Sequence, residues 1–172
     1  MTSDISEADL DLLAWQLGRQ PRAVVGIAHR CPCGAPDVVQ THPRLPDGTP
    51  FPTLYYLTCP RLAGAIGGLE GSGLMREMEA RLTEDGQLAA KVRLAHDTYL
   101  KERSHREVVP EIEGISAGGM PSRVKCLHVL AAHALASGPG VNPLGDEVLD
   151  VLDPWWQLGG CSMAAQGRTA DE

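Results

Sequence analysis

The side chains best suited to metal or nucleophilic chemistry are five cysteines and six histidines, and several of them fall at suggestive spacings. Cys31 and Cys33 flank a proline in Arg30-Cys-Pro-Cys-Gly-Ala-Pro36. In an extended segment residues i and i+2 project to the same side, so both sulfurs can face one point. That spacing is less common in zinc sites than the C-x2-C knuckle. Cys59 follows the strand-like stretch 51–58, and Cys126, His128 and His133 share one apolar segment.

Helical geometry restricts that last trio. At about 100° per residue, Cys126 and His128 point roughly 200° apart on a regular helix, and Cys126 and His133 sit about 10 Å apart along its axis. A regular helix therefore offers one ligand to a given metal. The four-ligand set expected is Cys31, Cys33, Cys59 and His128, with Cys126 as the substitute for His128 and zinc as the metal. The competing reading is that these thiols only pack or react, because free cysteine is among the most buried residue types. Cys161 lies in a loose-looking terminal stretch and is given no role.

Two further chemistries are open to these residues. Cys59 precedes Pro60 and Arg61, where a helix N-terminus and a positive charge favour a thiolate; His128 or His133 would be the base of such a catalytic thiol. The plainer alternative is a small residue in a helix-capping position. Ser116-Ala-Gly-Gly-Met-Pro-Ser-Arg-Val-Lys125 joins a glycine-containing loop to a helix start. With Arg61, Ser116, Arg123 and Lys125 it would suit an anion, helped by Arg44 if the sheet packs beside it. The spacing is not that of a phosphate-binding P-loop, and glycines there also serve simply to turn the chain.

The elements that must position these residues follow from pattern. Ser6 and Asp9 form a capping-box start, Leu10, Leu13, Ala14 and Leu17 keep helical spacing, and Gly18 stops the run. Strands are expected at 23–28, 38–41 and 51–58, a close succession that suggests a small antiparallel meander with Pro52 at an edge or a strand start. Helices follow from Pro60 to the Gly71-Ser-Gly73 break, around Met75, Met78 and Leu82, and from a Thr83 cap through Leu88, Val92, Ala95, His96, Tyr99 and Leu100. Residues 103–119 read as a loop. Pro121 then opens the most apolar helix, to about residue 136, and a short helix covers 146–152, where Asp146, Glu147 and Asp150 need no function beyond favouring the helix dipole.

The expected architecture is one α+β domain over residues 1–158, a small antiparallel sheet packed with four to six helices, and a flexible C-terminal tail over 159–172. With 43% hydrophobic and 22% charged residues, the chain can build a core of ordinary size. Only 4% of it is aromatic, so Leu, Val, Ala and Met must fill that core. A net charge of −7 argues against a protein that coats nucleic acid. No stretch is apolar enough for a membrane span, and an acidic, leaderless start with an odd number of cysteines reads as a cytoplasmic protein with reduced thiols.

Three phrases carry a resemblance. Arg30-Cys-Pro-Cys-Gly-Ala-Pro36, Pro50-Phe-Pro-Thr-Leu-Tyr-Tyr-Leu-Thr-Cys-Pro-Arg61, and Val124-Lys-Cys-Leu-His128 through Asn142-Pro-Leu-Gly145 are similar to those of the bacterial domain-of-unknown-function family 501, mainly actinobacterial, over about residues 16–150. The resemblance implies membership without an activity. Genes of that family often neighbour a septum-formation initiator and an exopolyphosphatase-type enzyme, which implies a cell-division, envelope or polyphosphate context. The leading expectation is a metal-binding accessory or regulatory protein acting through a protein partner. The alternative is a cysteine- or metal-dependent enzyme for a phosphate- or carboxylate-bearing substrate.

Overall fold

The computed structural model describes residues 4–158 and Cys161. Helix α1 (Glu7–Leu17) begins as its sequence demands: Asp9 N donates to Ser6 Oγ and Ser6 N to Asp9 Oδ2, both at 3.1 Å. Asp9 also receives both terminal nitrogens of Arg30 at 2.8 and 2.9 Å. This pair holds α1 against the first strand, and the Arg30 guanidinium keeps the Asp9 carboxyl well below the usual range.

Strands β1 (Val24–Arg30), β2 (Pro36–Thr41) and β3 (Tyr55–Leu57) form an antiparallel sheet in that order. All six residues of the central strand are buried. Successive strand residues face opposite ways, so Val39 packs with Leu13 and Ile27 under α1 while Val38 joins the main core with Leu54 and Tyr55. The third strand is much shorter than the stretch 51–58. Its first half is drawn away by Tyr99, whose hydroxyl accepts from Leu54 N, and by Arg103, which donates to Pro52 O at 3.0 Å.

On the main-core side lie α2 (Pro60–Gly71), α3 (Leu74–Glu84), α4 (Gly86–Arg106), α5 (Leu127–Ser137) and α6 (Pro143–Asp150). The six α-helices among the described residues fit the upper end of the expected number. Asp85, rather than Thr83, caps α4: its carboxylate accepts from Gln87 N and Leu88 N, and Thr83 stays inside α3. Helix α4 runs to Arg106, into the expected loop. Arg103 near its end is 4% exposed and also donates to Ile112 O and Ile115 O, fastening the following segment and its 3₁₀ turn Pro110–Ile112.

The largest departure concerns α5, which starts at Leu127 instead of Pro121. Residues 118–125 first fold back on themselves, Arg123 N donating to Gly119 O at 2.9 Å and Lys125 N to Gly118 O at 2.8 Å. Helix α6 starts at Pro143, earlier than the acidic residues suggested, because Asn142 caps it by accepting from Gly145 N at 3.1 Å. Gly145 itself lets α6 lie on α5, since a Cβ there would fall 2.1 Å from the Leu130 carbonyl oxygen. The expected tail over 159–172 lies outside the described residues except for Cys161, which is buried. No helix of the described residues is long and apolar enough to cross a membrane.

Candidate metal centres

Cys31 and Cys33 are brought together by a turn. Cys31 directly follows β1, Pro32 takes the second turn position, and Gly34 N donates back to Cys31 O at 2.8 Å. Gly34 has φ +87°, a conformation that favours glycine. Cys59 caps α2 with Pro60 in the first turn, and its side chain makes no capping hydrogen bond. Its sulfur turns inward and lies 3.6 Å from Cys161 Sγ. That is far from a disulfide length of about 2.05 Å. It is close to the sulfur–sulfur edge of about 3.8 Å that tetrahedral zinc–thiolate bonds of about 2.3 Å require.

The sulfurs of Cys31, Cys33 and Cys161 lie within 4.8 Å of one another, a spacing that can hold a metal ion. Cys31, Cys59 and Cys161 are buried and Cys33 is exposed. Gln16 on α1 holds two of the segments in place, donating through Nε2 to Pro36 O at 2.9 Å and to Cys161 O at 3.0 Å. Burial pushes the Cys31 thiol up to about 12; the Cys33 backbone N–H opposes this, while the Cys33 thiol and the Asp37 carboxylate add to it. Burial also raises the Cys161 thiol, and Cys59, at 3.6 Å, adds to the shift. In the metal-free protein these two thiols are therefore neutral, and metal would displace their protons.

Cys126 and His128 form a different group. Because α5 begins at Leu127, Cys126 is its N-cap with extended backbone (φ −157°, ψ 113°), so the two residues escape the opposition a regular helix would impose. Cys126 Sγ lies 4.0 Å from His128 Nδ1, and the same nitrogen is 3.1 Å from Glu70 Oε1. His128 Nε2 donates to Ala63 O at 3.0 Å. Cys126, Glu70 and the Ala63 carbonyl together push this imidazole up to about 9, against its burial. Glu70, Cys126 and His128 have donor atoms within 4.8 Å of one another and are all half-buried. Thus Cys126 and His128 gather around Glu70, and Cys31 and Cys33 around Cys161.

His133 is fully buried between Tyr55, stacked at 5.8 Å, and Tyr99, edge-on at 5.1 Å. Asn142 Oδ1 accepts from Gly145 N, which leaves Asn142 Nδ2 to donate to His133 Nδ1 at 3.1 Å. The ring lone pair is thus engaged, and Nε2 carries the proton in a buried position with no hydrogen-bond partner. Burial pushes this histidine down to about 4. Its surroundings are those of a core residue, with the proton-accepting nitrogen already in use.

The residues suggested for an anion have other neighbours. Ser116 is buried and its hydroxyl meets His96 Nδ1 at 2.9 Å. Arg123 faces Glu79 at 3.6 Å, Arg44 pairs with Glu111 at 2.8 Å, and Arg61 and Lys125 are exposed. Amides leading into α5 are already taken by carboxylates of the protein itself, Val124 N by Glu79 at 3.1 Å and Leu127 N by Glu70 at 2.8 Å. Arg81 likewise pairs with Glu147 at 2.6 Å, and Asp146 accepts from Gly140 N at 2.8 Å.

Sequence reasoning missed Cys161, Glu70 and Gln16. Cys161 stands 102 residues from Cys59, and nothing near it is patterned. Glu70 sits on a glycine-rich helix where an acidic residue reads as solvent-facing, and Gln16 has no local signal at all.

Fold and site together describe a small α+β protein with two compact groups of metal-capable side chains. Residues 27–150 match the family described as "Protein of unknown function (DUF501)", and the chain belongs to that family. The matched range includes both groups except Cys161. No curated protein and no solved structure matches the chain.

Proposed function

We propose that the protein is a cytoplasmic zinc-binding accessory or regulatory protein whose metal centre is built from Cys31, Cys33, Cys161 and Cys59. The observation that carries this reading is the approach of three cysteine sulfurs within 4.8 Å, with Cys59 Sγ a further 3.6 Å from Cys161 Sγ. Four thiolates in a tetrahedral arrangement suit zinc, and a centre closed by four protein ligands has a structural role. The ligands come from the β1–β2 turn, the start of α2 and the 3₁₀ turn Trp155–Leu158 with the Cys161 that follows it, so one ion would cross-link three segments. Burial of Cys59 and Cys161 leaves substrate little access, which favours action through a protein partner over catalysis at Cys59. Free thiols of this kind fit a reducing compartment.

The test is elemental analysis of untagged protein with thiol titration before and after chelation. Expected are at least one equivalent of zinc, Cys31, Cys33, Cys59 and Cys161 reacting only once the metal is removed, and readier loss of one equivalent to the chelator in both Cys33→Ser and Cys59→Ser. Metal-free protein with one thiol reacting far faster than the others would overturn the reading in favour of thiol chemistry.

A further inference from the structure

We propose that Glu70, Cys126 and His128 form a second metal site, separate from the thiol centre and open to solvent on one side, that binds a divalent ion of the zinc class and presents it to an anionic ligand. The three donors are chemically mixed: a carboxylate from α2, a thiol at the N-cap of α5 and an imidazole in its first turn. Tetrahedral zinc bonded at about 2.3 Å to sulfur and 2.0–2.1 Å to nitrogen and oxygen needs sulfur–nitrogen and nitrogen–oxygen edges of about 3.6 and 3.4 Å. The corresponding separations here are 4.0 and 3.1 Å. Movements of a few tenths of an ångström would bring these two edges to tetrahedral values, and the third, from Cys126 sulfur to the Glu70 carboxylate, is within 4.8 Å.

Each donor is already aimed. Ala63 O accepts from His128 Nε2, which leaves Nδ1 as the atom facing Glu70 and Cys126, the outer-shell arrangement that orients metal-binding histidines. Glu70 Oε1 accepts from Leu127 N, which fixes the carboxylate. The Cys126 side chain makes no capping hydrogen bond, although it occupies the cap position. On binding, the metal takes the place of the His128 Nδ1 proton and the Cys126 thiol proton, both of which leave to solvent.

Three protein ligands leave one position for water or a ligand, the pattern of catalytic rather than structural zinc sites. Glu70 also lines a shallow groove of about 550 Å³ with Met75, Arg76, Glu79 and Val124. Arg76 lines the same groove as Glu70 and, beside the cation, supplies the positive charge that a phosphate or a carboxylate as fourth ligand would pair with.

Cobalt titration of the full chain tests the site, because tetrahedral cobalt(II) absorbs visibly and reports a change of ligand. The wild type should bind two equivalents. Glu70→Gln and Cys126→Ser should each weaken one of them at least tenfold and leave the other in place, while Cys33→Ser should weaken only the other. Inorganic phosphate should shift the spectrum of the site that survives in Cys33→Ser. His128→Ala removes an ion pair as well, so Cys126→Ser, which preserves size, carries the argument once circular dichroism shows it folded. Cobalt binding left undiminished by Cys126→Ser and Glu70→Gln would overturn the proposal whatever the state of the thiol centre. A phosphate-insensitive spectrum would overturn the open position.

Discussion

At the scale of single residues, the same type of side chain is put to opposite uses by its neighbours. His128 faces acceptors at both ring nitrogens and is pushed up to about 9, whereas His133 is enclosed and pushed down to about 4. The second shift has a consequence for stability. An unfolded histidine binds its proton near pH 6.5, the native His133 only near 4, so between these values the unfolded state holds more protons. Stability contributed by the neutral ring is present above pH 6.5 and is lost as the pH falls through that window, by about 3 kcal/mol in all. His133→Phe keeps a ring between Tyr55 and Tyr99 and removes the proton. Urea unfolding from pH 7 to pH 4 should show the wild type losing stability faster than the variant. Parallel curves would mean that His133 does not titrate in this way.

At the scale of elements, what could be read in the sequence was whatever is decided locally. The Ser6–Asp9 cap, the first two strands and the Gly71-Ser-Gly73 break depend on neighbours a few residues away, and they stand within two residues of where the pattern puts them, whereas the third strand is shortened by Tyr99 and Arg103 from α4. The start of α5 was not legible, because amides ahead of it are held by Glu79 and Glu70 from other helices. The same tertiary feature brings Cys126 and His128 together, so misplacing one helix start hid one metal group. Packing between α5 and α6 makes a sharp prediction. Gly145→Ala should cost about 3 kcal/mol, or roughly 6–12 °C in Tm, because the new Cβ would meet the Leu130 backbone. Gly64→Ala on α2, where nothing lies within 4 Å, should instead be neutral or stabilise by about 0.5–1 kcal/mol. Calorimetry on the two variants checks this, and an unchanged Tm for Gly145→Ala would contradict the close approach.

At the scale of the molecule, α2 links the two side-chain groups. Cys59 caps its start and Glu70 stands eleven residues on, about 16 Å along the axis. Long-range closure completes each group: Cys161 joins residues from the first third of the chain, and the α5 start meets the end of α2. The cysteine pair in the β1–β2 turn was visible in the sequence, since a proline-glycine turn declares itself locally. Its completion by Cys161, 102 positions beyond Cys59, was not, because only folding brings those segments together. The central claim, a four-thiol centre, is tested most directly by X-ray absorption at the zinc edge on protein loaded with one equivalent. Four sulfur neighbours at about 2.3 Å are predicted, falling to three in Cys59→Ser. A first shell dominated by nitrogen and oxygen at about 2.0–2.1 Å, or one unchanged by that substitution, would contradict it.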